Sequence, residues 1–357
     1  MNIICFIHSL SAGGAERVLT TLANEWILQG HTVTMVTYDQ RNENFYPLKQ
    51  EIECICLDLS GGSIVKRLSN HCRRIPAFRK VFRRIGPDVI VSFIHRSNVL
   101  VLLAASGLQI PVVVSERIDP TRCSPGFPYT QLRPGLYRNA SALVVQNRAQ
   151  ASAFAGMCEK IEIIPNPVAT YQYQGTERNC TIIGAGRLVP QKNFGLLIAA
   201  FAEIAEEFPG WQLSIYGEGP ERDAHERDIH RFNLTERISL PGIVPDLPDR
   251  LATTSLFVLP TQFEGTPNVM LEAMACGCPV IVSEYGEAVR EIITPGINGL
   301  LVPVGEKPPL VAALRQLMSD QTLRLSLGKQ GQISMQTYKP DTIARKWEKL
   351  FEGICYG

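Results

Sequence analysis

No apolar run in this chain approaches the roughly 20 residues that a membrane-crossing helix needs, which leaves only peripheral contact with a bilayer. The opening MNIICFI carries no basic leader and gives way to HSLSAGGAE, too short and wrongly flanked for a signal peptide. Ten cysteines stand at 5, 54, 56, 72, 123, 158, 180, 276, 278 and 355, but none forms a C-x-x-C pair or has histidines at zinc-like spacing. Most lie in strand-like surroundings such as IICFI and ECICL, which predicts buried, reduced thiols and a cytoplasmic setting. There is no D-x-D pair for holding a divalent cation; DLPD at 246–249 is not one. Net charge is also scarce, +1 with 45% hydrophobic residues, which excludes a disordered chain and a general affinity for nucleic acid. That total hides an asymmetry: residues 1–178 carry 19 Lys and Arg against 13 Asp and Glu, and residues 179–357 carry 16 against 21.

Short apolar runs alternate with longer amphipathic ones. IICFI, TVTMVTY, VIVSFI, PVVVSE and ALVVQN are strands apolar on both faces, separated by stretches with helical spacing such as ERVLTTLANEWILQG. Such strands belong to a parallel sheet covered on both sides, a doubly wound α/β domain. The pattern restarts at TIIGAGR after the turn-rich IIPNPVATYQYQGTERN. With 357 residues, well past the ~250 at which single cores stop growing, two domains are expected. The expected limits are 1–170, 171–338 and a last helical segment 339–357 that packs back on the first domain, with a pivot at Pro165-Asn166-Pro167.

Three loops carry the candidate chemistry. Gly13 and Gly14 sit where the first strand turns into a helix; paired glycines admit a close backbone approach to an anion at a helix N-terminus, or simply make a tight turn. In GAGRLVPQKNFGLL, Gly184 and Gly186 begin like a dinucleotide fingerprint, but Val189 takes the place of the third glycine. Arg187 and Lys192 in that loop point at the crevice where such folds bind ligands, or serve solubility at the surface. The stretch FEGTPNVMLEAMACG reads as loop then helix, with Pro267 near the start and Gly277 near the end. Its first amide groups, roughly 267–270, are expected to be open to a phosphate, with Asn268 and Val269 among them. Glu264 and Glu272, eight residues apart, would grip hydroxyls on either side of that phosphate; helix capping explains one of these acids and does not require both.

The stretch Glu264 to Glu272 resembles the E-x7-E signature of the retaining glycosyltransferases of family 4, which have the two-domain GT-B fold. GGAER at 13–17, IPNPV at 164–168, GRLVPQKN at 186–193 and ACGCPVIVSE at 275–284 resemble other motifs of that family in the expected order, so that the resemblance spans nearly the whole chain. The resemblance implies two Rossmann-like domains facing a central cleft. It implies that Arg187 and Lys192 neutralise a donor diphosphate, that Glu272 holds the nucleotide ribose, and that Glu264 aligns the transferred sugar. The Gly13-Gly14 loop would close over the phosphates, and Gly217 in YGEGPER and Gly242 in LPGIV would lie near the base. Many relatives carry a histidine after the strand that here reads PVVVSERID; Glu116 and Arg117 stand in its place, which makes Arg117 a candidate for its part.

The reaction implied is retaining transfer of a hexose or N-acetylhexosamine from a nucleotide sugar, a UDP-sugar above others, to a glycan or lipid-linked glycan acceptor such as a polyprenyl-diphosphate saccharide. Without a D-x-D pair, Arg187, Lys192 and the helix end would replace a metal, so no cofactor is expected. The stretch KRLSNHCRRIPAFRKVFRRIGPD at 66–88 holds eight Lys and Arg and no acid before Asp88, with Ile75, Phe78, Val81, Phe82 and Ile85 at helical spacing. Its apolar stripe either packs on its own domain with the charges solvated, or it presents Arg73, Arg74, Arg83 and Arg84 to an anionic membrane surface at the inner face of the cell membrane. No aromatic platform accompanies these charges, so nucleic acid is not an expected partner. Within the same fold the alternatives are a nucleotide-sugar epimerase, which needs no acceptor, and a non-catalytic sugar-nucleotide-binding subunit.

Overall fold

The computed structural model describes residues 1–39, 44–59, 64–117, 126–169 and 178–357, with the side chains of 64–72 excepted. It contains two compact units: Met1–Pro167 together with Pro340–Gly357, and Val168–Lys339. The boundary expected near 170 falls within 170–177, outside the described residues.

The first unit is built on a seven-stranded parallel sheet of order β3-β2-β1-β4-β5-β6-β7. The strands are β1 (Asn2–Phe6), β2 (Thr32–Thr37), β3 (Glu53–Cys56), β4 (Val89–Phe93), β5 (Val112–Ser115), β6 (Ala142–Val145) and β7 (Ile161–Ile163). Because side chains alternate across a pleated strand, β1 feeds both faces. Ile3 and Cys5 join a cluster with Trp26, Trp347 and Phe351, whereas Ile4 and Phe6 join one with Phe78, Phe82 and Tyr137. The helix Pro340–Cys355 belongs to this unit. It lays Ile343, Ala344, Trp347, Leu350 and Phe351 against the sheet at one-turn spacing, with the Trp347 ring 6.1 Å from Trp26 and 5.9 Å from Phe93.

Three further helices of this unit are α1 (Gly14–Leu28), α2 (Ile64–Ile85) and α3 (His95–Ala105). In α2, Phe78 and Phe82 are fully buried while Arg73, Arg83 and Arg84 are exposed. Arg74 departs from the expected outward set. It is half-buried, and its guanidinium donates to the Leu59 carbonyl at 2.8 and 3.0 Å and lies 4.8 Å from the Tyr38 ring. Arg79 likewise turns inward to the Ala104 and Ser106 carbonyls (3.0 and 2.7 Å), satisfying acceptors that the end of α3 leaves without intrahelical donors. Lys66 and Arg67, also in the basic stretch, have side chains outside the described residues.

The second unit has a six-stranded parallel sheet of order β10-β9-β8-β11-β12-β13. Its strands are β8 (Asn179–Ala185), β9 (Gln212–Tyr216), β10 (Ile238–Gly242), β11 (Thr254–Leu259), β12 (Val280–Ser283) and β13 (Leu300–Val302). Here too adjacent residues serve opposite faces: Ile182 packs with Phe201 and Leu213, and Ile183 with Phe257 and Met270. Among the described residues no helix is long and apolar enough to cross a membrane.

The thiols correct one expectation. Cys5, Cys158, Cys276 and Cys278 are buried, but Cys54, Cys56 and Cys180 are exposed. An apolar-looking run such as ECIC is half-solvated when its strand lies at the sheet edge, as β3 does. The side chains of Cys72 and Cys123 lie outside the described residues.

Candidate active site

Ligands of open parallel sheets bind beyond the carboxyl ends of the strands, where the strand order reverses. In the second unit β8 lies between β9 and β11, so the reversal falls between β8 and β11. Two of the loops read from the sequence leave these two strands: 186–193 follows β8 and 260–267 follows β11.

The first loop is shaped by glycine. At Gly217, with φ +132°, an added Cβ would lie 1.9 Å from the Gly186 carbonyl oxygen, so no side chain fits there. The backbone is then sewn across the strand ends: the Gly186 amide donates to the Tyr216 carbonyl, the Gly217 amide to the Gly242 carbonyl and the Leu188 amide to the Glu218 carbonyl, each at 2.9 Å. Beyond Gly186 the chain makes a short 3-10 turn, Pro190–Lys192, and enters the helix Phe194–Ile204 through Asn193 in the left-handed region (φ 54°). This turn aims Lys192 at the second loop, where its ammonium bonds the Glu264 carboxylate through Oε1. Only 12% of the Lys192 side chain and 13% of the Glu264 side chain remain exposed, so the pair is shielded yet still reaches solvent.

Two residues not singled out from the sequence join the loops. The Gln191 side-chain amide donates to the Phe263 carbonyl at 2.7 Å, and the Gln262 amide donates to the Gln191 carbonyl at 2.8 Å. The Thr261 hydroxyl, fully buried, lies 3.1 Å from Glu264 Oε1. Its signal was present as a threonine at the strand end three residues before the acid. Tyr285, after β12, is a third omission: its hydroxyl has no hydrogen-bond partner among the described residues. Burial first, and the charge of Glu264 second, push its phenol well above the ordinary range.

Arg187 is exposed, and its side chain makes no hydrogen bond or ion pair among the described residues. Glu272 is buried, 3% exposed, at the fifth position of the helix Asn268–Ala275. That helix has no side-chain N-cap. The expected row of open amides from 267 to 270 is shortened: Pro267 has no N–H, and the Met270 amide donates to the Pro267 carbonyl at 3.1 Å. Asn268 and Val269 are the first two residues of that helix.

In the first unit Gly13 is the N-cap residue of α1 and makes no side-chain cap. The Glu16 carboxylate folds over it, so close that a Cβ on Gly13 would fall 2.0 Å from Oε2. Burial raises the Glu16 carboxyl, and a bond to its own amide opposes the shift.

Arg117 lies in the interior of this unit, 9% exposed. Its Nη1 donates to Asn166 Oδ1, the Gln146 side-chain Nε2 donates to the same oxygen at 3.1 Å, and the guanidinium sits 4.0 Å from the Phe93 ring. Burial lowers its pKa to about 9, against the pull of Glu116. Glu116, 1% exposed, accepts from the hydroxyl of Tyr137, a residue of α4 (Tyr129–Tyr137). Burial raises the Glu116 carboxyl to about 7, opposed by Tyr137, Arg133, Arg117 and Asn98. Of the sequence candidates, then, Lys192 and Glu264 are brought into contact, while Arg117 bonds Asn166 through Nη1 alone, its buried Nε and Nη2 having no hydrogen-bond partner among the described residues.

Residues 13–167 match the family model described as glycosyl transferase 4-like domain, and residues 179–320 match glycosyl transferases group 1. Among curated relatives, the chain is 26% identical over 364 residues to the N-acetylgalactosamine-N,N'-diacetylbacillosaminyl-diphospho-undecaprenol 4-alpha-N-acetylgalactosaminyltransferase of Campylobacter jejuni, covering 98% of each. It is 29% identical over 368 residues to the lipopolysaccharide core biosynthesis glycosyltransferase LpsD of Rhizobium meliloti, again covering 98% of each. A match to the exopolysaccharide phosphotransferase of Streptomyces coelicolor, 28% identical, covers 76% of this chain but only 29% of that protein. Sucrose-phosphate synthase from Thermosynechococcus elongatus superposes with a TM-score of 0.84 at 20% identity, over 99% of this chain and 98% of the other. Anabaena HepE, solved in complex with UDP, superposes with a TM-score of 0.78 at 20% identity, over 99% and 100%. Likeness at that level of identity shows the fold, two parallel-sheet α/β units of the GT-B kind.

Proposed function

We propose, from the premise that this chain belongs to the two-domain glycosyltransferases, that it moves an N-acetylhexosamine or hexose from a UDP-sugar to a saccharide carried on a polyprenyl diphosphate, with retention at the anomeric carbon. The observation that carries this reading is the shielded Lys192–Glu264 pair at the β8/β11 reversal, beside the exposed cation Arg187. As the glycosidic bond to the donor breaks, negative charge grows on the departing diphosphate. Lys192, turning from Glu264, together with Arg187 and the N-terminal end of the helix Asn268–Ala275, supplies positive potential there, an effect whose single donors are often worth about 3 kcal/mol. Glu264 orients the sugar by its hydroxyls, Glu272 holds the ribose, and the acceptor hydroxyl attacks on the face the leaving group departs from. These groups take the part that a bound cation plays elsewhere, so no metal is required.

Support for the acceptor comes from the Campylobacter relative, whose name specifies an undecaprenyl-diphosphate saccharide. Support for UDP comes from the HepE complex. Exposed Arg73, Arg83 and Arg84 suit an anionic bilayer holding such an acceptor, at about 1 kcal/mol each near acidic lipid.

The test is incubation with UDP-N-acetylgalactosamine, UDP-N-acetylglucosamine or UDP-glucose and an undecaprenyl-diphosphate disaccharide, in buffer containing EDTA. Transfer in chelator is expected. Conversion of a donor without acceptor would instead indicate an epimerase, and activity that appears only on adding Mn²⁺ or Mg²⁺ would overturn the metal-free mechanism. Charge reversal at Arg73, Arg83 and Arg84 is expected to reduce flotation with anionic vesicles.

A further inference from the structure

The Thr261 hydroxyl has one proton and three oxygens within reach: the Gln191 carbonyl at 3.0 Å, Glu264 Oε1 at 3.1 Å and the Phe263 carbonyl at 3.3 Å. Each of the three already takes one other donor, Oε1 of Glu264 taking the Lys192 ammonium, so acceptor strength decides. Gln191 O accepts from the Gln262 amide at 2.8 Å, and Phe263 O accepts from the Gln191 side chain at 2.7 Å. A carboxylate is the stronger acceptor, because its hydrogen bonds are charge-assisted. The proton therefore belongs to Glu264.

Thr261 and Lys192 thus bond the same carboxylate oxygen, Oε1, while Oε2 makes no hydrogen bond among the described residues. The carboxylate is anchored at one end and open at the other. The two anchors differ in mobility. Lys192 is a long side chain with three donors, and a diphosphate competes for it, whereas Thr261 is short, β-branched, fully buried and only two residues past the end of β11.

We infer that Thr261 is a positioning residue: its hydroxyl holds Oε1 of Glu264 when Lys192 turns to the donor phosphates, so that Oε2 stays presented to a hydroxyl of the transferred sugar. This rests on the donor reading above. Thr261 does not touch the nucleotide, so losing its hydroxyl affects the sugar and not UDP.

The test compares wild type with Thr261→Val, which keeps the shape and removes the hydroxyl, and with Thr261→Ser, which keeps the hydroxyl. Calorimetric titration with UDP is expected to give equal affinity for all three. Turnover with UDP-N-acetylgalactosamine and the lipid-linked acceptor is expected to fall about tenfold in kcat for Thr261→Val, with KM for the donor little changed, and to recover in Thr261→Ser. Equal weakening of UDP and of UDP-sugar would mark a merely structural residue and overturn the inference, as would wild-type kcat in the valine variant. Should Thr261→Val fail to fold, Thr261→Ala takes its place beside Thr261→Ser: loss of kcat in alanine with recovery in serine upholds the inference, and equal kcat in the two refutes it. If wild type binds no UDP at all, the donor reading fails first and this inference with it.

Discussion

The carboxyl edges of the two sheets are made alike and used differently. In the first unit the polar groups beyond β5, Glu116 and Arg117, are buried, at 1% and 9% exposure; Glu116 accepts from Tyr137, and Arg117 gives Nη1 to Asn166 while its Nε and Nη2 have no hydrogen-bond partner among the described residues. In the second, Lys192 and Glu264 stop short of full burial and Arg187 stands in solvent. A sealed charge has to be satisfied by its own fold and so contributes to stability and titration. A charge at the rim keeps capacity for a ligand. Chemical character alone, an acid and a base in each place, does not separate the two; what does is Arg187, exposed beside the pair in the second unit only.

The largest expected effect lies at the rim. Lys192→Ala should lower kcat by about a hundredfold, as loss of one donor to a leaving group does, and should also lower the melting temperature because the shielded Glu264 carboxylate loses its partner. Steady-state kinetics beside a thermal melt would show this, and full turnover in the variant would break the distinction.

The next effect lies in the sealed cluster. The folded-state carboxyl of Glu116 is raised to about 7 from 4.5, so the folded protein holds that proton more tightly than the unfolded chain does. Its contribution is complete below the unfolded value and fades as pH climbs to about 7. Glu116→Gln, neutral throughout, should remove this decline. Denaturant unfolding between about pH 5 and about pH 8 should show the variant gaining on wild type by on the order of 3 kcal/mol. Superimposable pH profiles would mean that the sealed carboxyl is not what titrates.

The smallest and sharpest comparison is one substitution made in both units. Tyr137→Phe removes a donor to buried Glu116 and should cost about 1.5–3 kcal/mol of stability. Tyr285→Phe removes a hydroxyl with no partner among the described residues, so stability should hold or rise slightly, and any loss should appear in turnover. Reversed outcomes would show that the hydrogen bonding was misjudged in one of the units.

Periodicity made the two sheets legible, because strands apolar on both faces leave little choice but a covered parallel sheet. The spacing of Lys192 and Glu264 from their strand ends was legible for the same reason: loops after adjacent strands meet at one edge. What single strands do not carry is lateral order. Neither the edge position of β3, which exposes Cys54 and Cys56, nor the inward turn of Arg74 and Arg117 follows from local pattern, since each depends on a neighbour distant in the chain. Thr261 escaped notice because a threonine after a strand is ordinary until the acid it faces is known.

The helix Pro340–Cys355 closes the core of the unit that residue 1 begins, with Trp347 between Trp26 and Phe93. On a ribosome the chain emerges in order, and domains generally fold as units as they appear. Val168–Lys339 is contiguous and has all its residues before the helix is made, so the unit translated first is completed last. Until Trp347 emerges, the part of that sheet face beside α1 which the last helix covers waits open to solvent.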